Sequence, residues 1–128
     1  MPKKRKVEYA CGLEAALDVI GGRWKVLILW DLDCPRRFGE LKRIVSGISE
    51  KMLIQQLREM KADGVVRRKV FHEVPPHVEY SLTWFGLSLR KALGPLCKWG
   101  TTHMERIGTN KESREAASTN SRKTVVLA

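Results

Sequence analysis

Ser46-Gly47-Ile48-Ser49-Glu50-Lys51-Met52-Leu53-Ile54-Gln55-Gln56-Leu57-Arg58-Glu59-Met60 is a tight turn followed by an amphipathic segment. Ser49 is a good helix N-cap, because its hydroxyl can accept a bond from a free backbone N–H of the first turn. Glu50 beside it suits the positive end of the helix dipole. Leu53, Leu57 and Met60 recur at helical spacing and make one inward stripe. Lys51, Ile54, Gln55 and Arg58 stand on the other side, and Asp63-Gly64 is a stop signal. A helix over Ser49–Ala62 is therefore predicted, with a buried stripe and a polar outer face.

The flanks complete a pattern. Upstream, Phe38, Leu41 and Val45 predict a short helix that the Ser46-Gly47-Ile48 turn ends. Downstream, Val66–Val74 and Val78–Leu82 predict two strands around Pro75-Pro76-His77, a hairpin. Thr83 can then cap a long helix carrying Phe85, Leu89, Leu93, Leu96, Trp99 and His103 down one side, with a kink or split expected at Gly94-Pro95. Further upstream, Leu13, Ala16, Leu17 and Ile20 predict a helix that Gly21-Gly22 terminates, and Trp24–Leu32 predicts a mostly apolar, buried helix.

A short helix, a tight turn, a capped helix and a hairpin form a winged helix-turn-helix, whose second helix enters the major groove of DNA. The groove admits one helix, so that helix needs one buried stripe and one polar reading face. In this role Lys51 and Arg58 can meet guanine edges or phosphates, Gln55 can pair with adenine in bidentate fashion, and Ile54 can touch a thymine methyl. Ser46 and Ser49 suit phosphate contacts at a helix end. Arg36 and Arg37 suit the DNA backbone, and His72, Pro76 and His77 would bring the wing to the neighbouring minor groove. A lone amphipathic helix with these residues would be an ordinary solvated face; it is the turn, the hairpin and the basic flank together that favour DNA. The expected fold class is α+β, mainly α, with a two-stranded wing and a long C-terminal dimerisation helix.

The bulk properties agree without deciding. The 128 residues suit one domain with ragged ends, and no run of apolar residues is long enough for a transmembrane helix. The net charge is +10, but Lys3, Lys4, Arg5 and Lys6 supply four of it and the tail from Gly108 two, which leaves four for Glu8–Ile107. Charge arrangement, rather than its total, has to identify the partner. Cys11, Cys34 and Cys97 are an odd number without metal-type spacing, which fits a reducing intracellular setting. No phosphate loop, paired carboxylates or nucleophile–base set points to an enzyme. No cofactor is expected. His72 and His77, placed opposite each other across the hairpin, are two metal donors without a third.

The sequence resembles the HxlR family of bacterial regulators, related to the MarR type. The resemblance rests on Cys11-Gly-Leu-Glu-Ala-Ala-Leu-Asp-Val-Ile-Gly-Gly-Arg-Trp-Lys25, Arg37-Phe-Gly-Glu-Leu41, Gly47–Met60, Asp63-Gly64, Glu73-Val-Pro-Pro-His-Val-Glu-Tyr-Ser-Leu-Thr83 and Leu96-Cys-Lys-Trp-Gly100. It implies a homodimer built from the first and last long helices, with Leu13, Leu17, Phe85, Leu89, Leu93, Leu96, Trp99 and His103 at the interface. Two recognition helices would face a palindromic operator in double-stranded DNA, with repression as the family habit. Family members often carry a basic residue after the paired prolines, where this chain has His77. Several members sense oxidants or electrophiles through a cysteine near the N-terminus, and Cys11 stands at that place. It precedes a helix, whose dipole favours a thiolate. The alternative is an inert cysteine, as expected for Cys97 in the core and Cys34 in an exposed loop. Trp24, Trp30, Trp84 and Trp99 are expected to pack in the core or dimer; the alternative is a small-molecule pocket at the dimer interface. A dimeric interaction module of the same fold, without operator recognition, is the other class of function.

The chain is thus expected to divide into a basic arm, residues 1–7, a DNA-binding and dimerisation domain, residues 8–107, and a flexible polar tail, residues 108–128. Pro2-Lys-Lys-Arg-Lys-Val7 reads equally as a fused nuclear-localisation tag or as a native phosphate-binding arm. The expected location is the bacterial cytoplasm, or the nucleus if the arm is such a tag.

Overall fold

The computed structural model describes residues 7–127, with side-chain surroundings for residues 7–119. The expected basic arm lies outside them except for Val7. The elements in order are α1 (Gly12–Ile20), α2 (Arg23–Asp31), β1 (Arg36–Arg37), α3 (Phe38–Ile44), α4 (Glu50–Ala62), β2 (Val66–Phe71), β3 (His77–Leu82), α5 (Trp84–Thr102) and α6 (Met104–Leu127). The chain forms two compact units, Met1–Lys91 and Ala92–Ala128.

The first unit is a winged helix. Its core is aliphatic: Ile28 and Leu29 of α2, Leu41 of α3, Leu53, Leu57 and Met60 of α4, and the linking residues Leu32, Val45, Ile48 and Val65 are all buried, as is Val66 of β2. Each buried leucine or isoleucine contributes about 1.5–3 kcal/mol relative to exposure, so this cluster sets the angle at which α4 is held. The α3–α4 turn is sharp because Gly47 takes φ +82°, a left-handed conformation disfavoured for residues with a Cβ. Ser49 Oγ accepts from the Met52 N–H at 3.1 Å and fixes the first turn of α4. Gly64, at φ +75°, lies just past the end of α4.

The sheet has three antiparallel strands in the order β1-β3-β2. The hairpin pairs Val66 with Leu82 through Phe71 with His77, so β2 ends three residues earlier than expected. The wing is the expected two-stranded hairpin of β2 and β3, and β1 adds a third strand to the sheet: Arg36 pairs with Tyr80 and Arg37 with Glu79. Thr83 links the sheet to α5. Its N–H donates to Val65 O at 3.1 Å, and its Oγ1 accepts from the Gly86 N–H at 3.0 Å. Gly86 has no room for a side chain, since a Cβ there would lie 2.2 Å from Val65 O.

Helix α5 runs unbroken through Gly94-Pro95, and the interruption falls instead at His103. Proline removes one backbone bond, and the flanking turns continue the helix across the gap. In the second unit, the segment expected as a flexible tail is helical as α6. No proline occurs beyond Pro95 and no glycine beyond Gly108, while Glu, Lys, Arg and Ala favour helix. The described side chains of α6 are exposed throughout. No described helix is long and apolar enough to cross a membrane.

Candidate nucleic-acid interface

Helix α4 divides as its periodicity requires. Leu53, Leu57 and Met60 are buried, whereas Lys51, Ile54, Gln55 and Arg58, spaced i, i+3, i+4 and i+7, are exposed together. The exposed set combines two cations, a two-way amide and one apolar branch. Ser46 and Ser49 are both exposed beside the start of α4.

Between α4 and the sheet lies an open hollow of about 570 Å³, lined by Phe38, Glu50, Ile54, Leu57, Arg58, Lys61, Arg68, Val78 and Tyr80. Its charged lining is three cations against one carboxylate, so it attracts a polyanion beside the exposed face of α4. Arg67, Arg68 and Lys69 on β2 are all exposed, and Lys69 Nζ lies 4.7 Å from the Phe71 ring. Neither Lys61 nor this basic run was among the expected DNA-contacting residues. The consecutive Arg67-Arg68-Lys69 letters were the available signal, obscured because a strand of this kind also reads as an ordinary solvated edge.

The two arginines before α3 differ. Arg37 is exposed, and its backbone N–H donates to Glu40 Oε1 at 3.2 Å. Arg36 is half-buried and engaged: Nε donates to Asp31 O at 2.6 Å and a terminal nitrogen to Asp33 Oδ1 at 2.8 Å. The latter bond holds the Asp33 carboxyl below the usual range. Arg36 therefore braces the loop before β1, and Arg37 is the freer cation.

At the wing, His72 and Pro76 are exposed and Val74 is wholly so. His77 is turned inward. Its ring stacks on Phe71, with centroids 4.5 Å apart and 14° between planes, and Nδ1 is 3.9 Å from Glu73 Oε2. The register sets His77 opposite Phe71 rather than opposite His72, contrary to the expected pairing of two histidines.

Cys11 is exposed at the N-cap of α1. The chain before it is tied down: the Ala10 N–H donates to Glu14 Oε2 at 3.0 Å, and the Tyr9 hydroxyl donates to the Asp18 carboxylate. Cys34 is exposed as expected. Cys97 is exposed too, which overturns its expected place in the core; residues 95–99 of α5 are all exposed, a full turn that helical spacing alone could not tell from a covered one.

Among the apolar residues expected at a dimer interface, Leu13, Leu17, Phe85, Leu96 and Trp99 are exposed, Leu13 by 71%. Leu89 instead faces a small internal space with Val19, Ile20, Leu29 and Met60, and Leu93 is buried. His103 is half-buried, 4.9 Å from the Trp99 ring. Trp84, expected to pack in the core or the dimer, is 79% exposed, and Leu87 is exposed as well. Trp24 and Trp30 are half-buried, each beneath an arginine, Arg23 and Arg90.

Residues 19–108 match the profile of HxlR-like helix-turn-helix proteins. The chain is 50% identical over 100 residues to an uncharacterised HTH-type transcriptional regulator of Bacillus subtilis, YkvN, covering 77% of this chain and 85% of that protein. The reduced form of the redox regulator HypR superposes with a TM-score of 0.72 at 43% identity, over 77% of this chain and 99% of that one. The reduced form of the transcriptional regulator YodB from Bacillus subtilis superposes with a TM-score of 0.64 at 35% identity, over 72% of this chain and 92% of that one.

Proposed function

From the premise that the chain belongs to the HxlR-like helix-turn-helix family, and is a transcriptional regulator of the HxlR/MarR type rather than an enzyme, we propose that it is a homodimeric, sequence-specific repressor acting on a palindromic operator in the bacterial cytoplasm. The observation that carries this reading is the α4 surface: Lys51, Ile54, Gln55 and Arg58 lie exposed together, beside a hollow whose lining is mainly cationic. A helix bearing donors, an amide and an apolar branch can read base edges, while Ser46, Ser49, Arg37 and the β2 basic run grip phosphates. His72 and Pro76 approach the minor groove, and residues 8–107 form the functional domain.

The homodimer reading draws on the uncovered Leu13 and Leu17 of α1 and Leu96 and Trp99 of α5. A second copy would remove these apolar side chains from water and set two reading helices about 34 Å apart, one helical turn of DNA. Cys11 is the proposed switch: it is exposed at the start of α1, the helix bearing Leu13 and Leu17, and HypR is a redox regulator. Its oxidation or alkylation would alter α1 and with it the spacing of the reading helices.

The test is salt-dependent binding to the DNA upstream of its own gene and to random duplex of equal length. Tighter binding to the upstream DNA, relieved by peroxide in the native chain and not in Cys11→Ser, is expected. Equal affinity for both DNAs would sink the sequence-specific reading; relief that persists in Cys11→Ser would remove the switch.

A further inference from the structure

We propose that the sheet has two cationic faces that grip different phosphate strands of the operator. Arg68, with Arg58 and Lys61, takes the strand that borders the reading helix; Arg67, Lys69 and Arg37 take the opposite strand, across the minor groove. The proposal rests on the assignment of α4 as the reading helix.

Strand alternation sorts the three consecutive cations of β2. Arg68 lines the hollow together with Val78 and Tyr80, on the side of the sheet that faces α4. Successive residues of a strand project to opposite faces, so Arg67 and Lys69 stand on the side away from α4. Their neighbours agree. The register sets Lys69 opposite Glu79 and Phe71 opposite His77, and Lys69 Nζ lies over the Phe71 ring, which stacks on His77. The third strand extends the same face, because Arg37 lies opposite Glu79 from the other side. One rung of the sheet thus reads Arg37-Glu79-Lys69, with Arg67 two residues back along β2.

The two sides carry the same charge. Arg58, Lys61 and Arg68 surround the hollow with Glu50; Arg37, Arg67 and Lys69 share the far face with Glu79. All six cations are exposed, and among the described residues none is in an ion pair. Lys25 and Arg36 are the contrast: Arg36 is held by Asp33, and Lys25 Nζ lies 2.7 Å from Glu59 Oε2.

One phosphate strand cannot touch both faces of a sheet, because the sheet itself lies between them. A duplex presents two strands facing each other across a groove, and the minor groove, about 6 Å wide, is the narrower. With α4 in the major groove, the strand bordering it enters the hollow, where Arg58 and Lys61 meet it from the helix and Arg68 from the sheet. The facing strand, across the minor groove, is left to the far side of the sheet. The tip of the hairpin suits this placement. Val74 is wholly exposed, and Pro75 and Pro76 bring neither charge nor N–H. An uncharged tip enters the groove while the cations of the stem meet its two rims.

The experiment is phosphate-ethylation interference on the duplex upstream of its own gene, with the full native chain, Arg68→Gln, Arg67→Gln/Lys69→Gln and Glu79→Gln. With the native chain, ethylation is expected to block binding on both strands bordering one minor groove. Arg68→Gln should lose the interference on the strand next to the reading site, and Arg67→Gln/Lys69→Gln that on the facing strand. Their salt slopes should fall by about 1 and about 2, close to one for each phosphate contact. Glu79→Gln, one negative charge poorer on the far face, should bind about two- to fivefold more tightly, the scale of one exposed charge pair. Circular dichroism verifies that each variant is folded. Loss of the same phosphates in Arg68→Gln and in Arg67→Gln/Lys69→Gln places all these cations on one strand and overturns the two-sided grip. Unchanged interference in folded Arg67→Gln/Lys69→Gln leaves those cations as guards of an open strand edge and overturns it too. Absence of any interference with the native chain overturns the regulator reading itself, and the two-sided grip with it.

Discussion

Replacing Gly86 by alanine should destabilise the fold far more than its size suggests. The added Cβ would lie 2.2 Å from Val65 O and 3.1 Å from Val65 C. Real contacts of this kind need roughly 1 Å more, so the first turn of α5 has to retreat from the β2 entry or the strand has to bend. Either movement strains the Gly86 N–H to Thr83 Oγ1 cap and the Thr83 N–H to Val65 O bond. A lost cap costs about 1 kcal/mol, a weakened backbone bond about 1 kcal/mol, and the local overpacking about 1–3 kcal/mol. Partial relaxation shares these terms, so a loss of about 2–4 kcal/mol is expected, which for a domain of this size lowers Tm by on the order of 10–20 °C. Thermal unfolding followed by far-UV circular dichroism, at fixed protein concentration, reads this directly. Gly39→Ala is the control, because Gly39 lies in a helix and a Cβ there meets nothing within 4 Å; it should be neutral or stabilising by up to about 1 kcal/mol. Equal Tm values for the two variants would refute the close approach as the reason for glycine at position 86.

Four further outcomes are expected. Ser49→Ala removes the Met52 N–H acceptor and should cost about 1 kcal/mol in urea unfolding, with Ser49→Asn restoring most of it; no loss would mean that water replaces the cap. Gln55→Ala should relax preference at one base position by about 5- to 150-fold, while Arg37→Ala should weaken all sequences alike and reduce the salt slope by about 1; uniform effects of both in a gel-shift titration would show α4 to be misassigned. Leu13→Glu/Leu17→Glu should turn a dimer into a monomer in sedimentation velocity, and an unchanged species would exclude α1 from the interface. Glu59 is held below its ordinary carboxyl value of 4.5 in the folded chain, so its stabilisation is present above that pH and is lost as pH falls through the lower folded value. The difference in Tm between native chain and Glu59→Gln should therefore shrink from neutral pH to about pH 3, and a constant difference would deny the ion pair a share in stability.

The two faces of α4 were legible because the helix obeys two local rules at once. The 3.6-residue period separates Leu53, Leu57 and Met60 from Lys51, Gln55 and Arg58, and the Ser49 cap fixes where the period starts. Gly47 and the alternation of the hairpin are similarly local. What escaped depends on partners distant in sequence. Two arginines before a helix read as loop, and only pairing with Tyr80 and Glu79 makes them a strand. The engagement of Arg36 by Asp31 O and Asp33 requires knowing how that loop turns back. Helical spacing identifies one side of α5 as apolar but not how far along the helix its own chain covers that side: Leu89 and Leu93 are turned inward, whereas Leu96 and Trp99 are left in solvent. His77 was judged by its neighbours Pro75-Pro76, while the strand register hands it to Phe71.

The two-residue strand β1 separates what can vary in this design from what cannot. By pairing Arg36 and Arg37 with Tyr80 and Glu79 of the central strand it clamps the stem of the hairpin to the segment that leads into α3. The other end of the hairpin carries no such restraint, and Val74 at its tip is wholly in solvent. In the proposed binding mode, insertions or deletions between Phe71 and His77 would lengthen or shorten the wing's reach along the DNA without turning α4 in its groove. Grip and vocabulary can then diversify on separate tracks: one through the length and charge of a tip, the other through a few letters on a helix whose orientation stays constant.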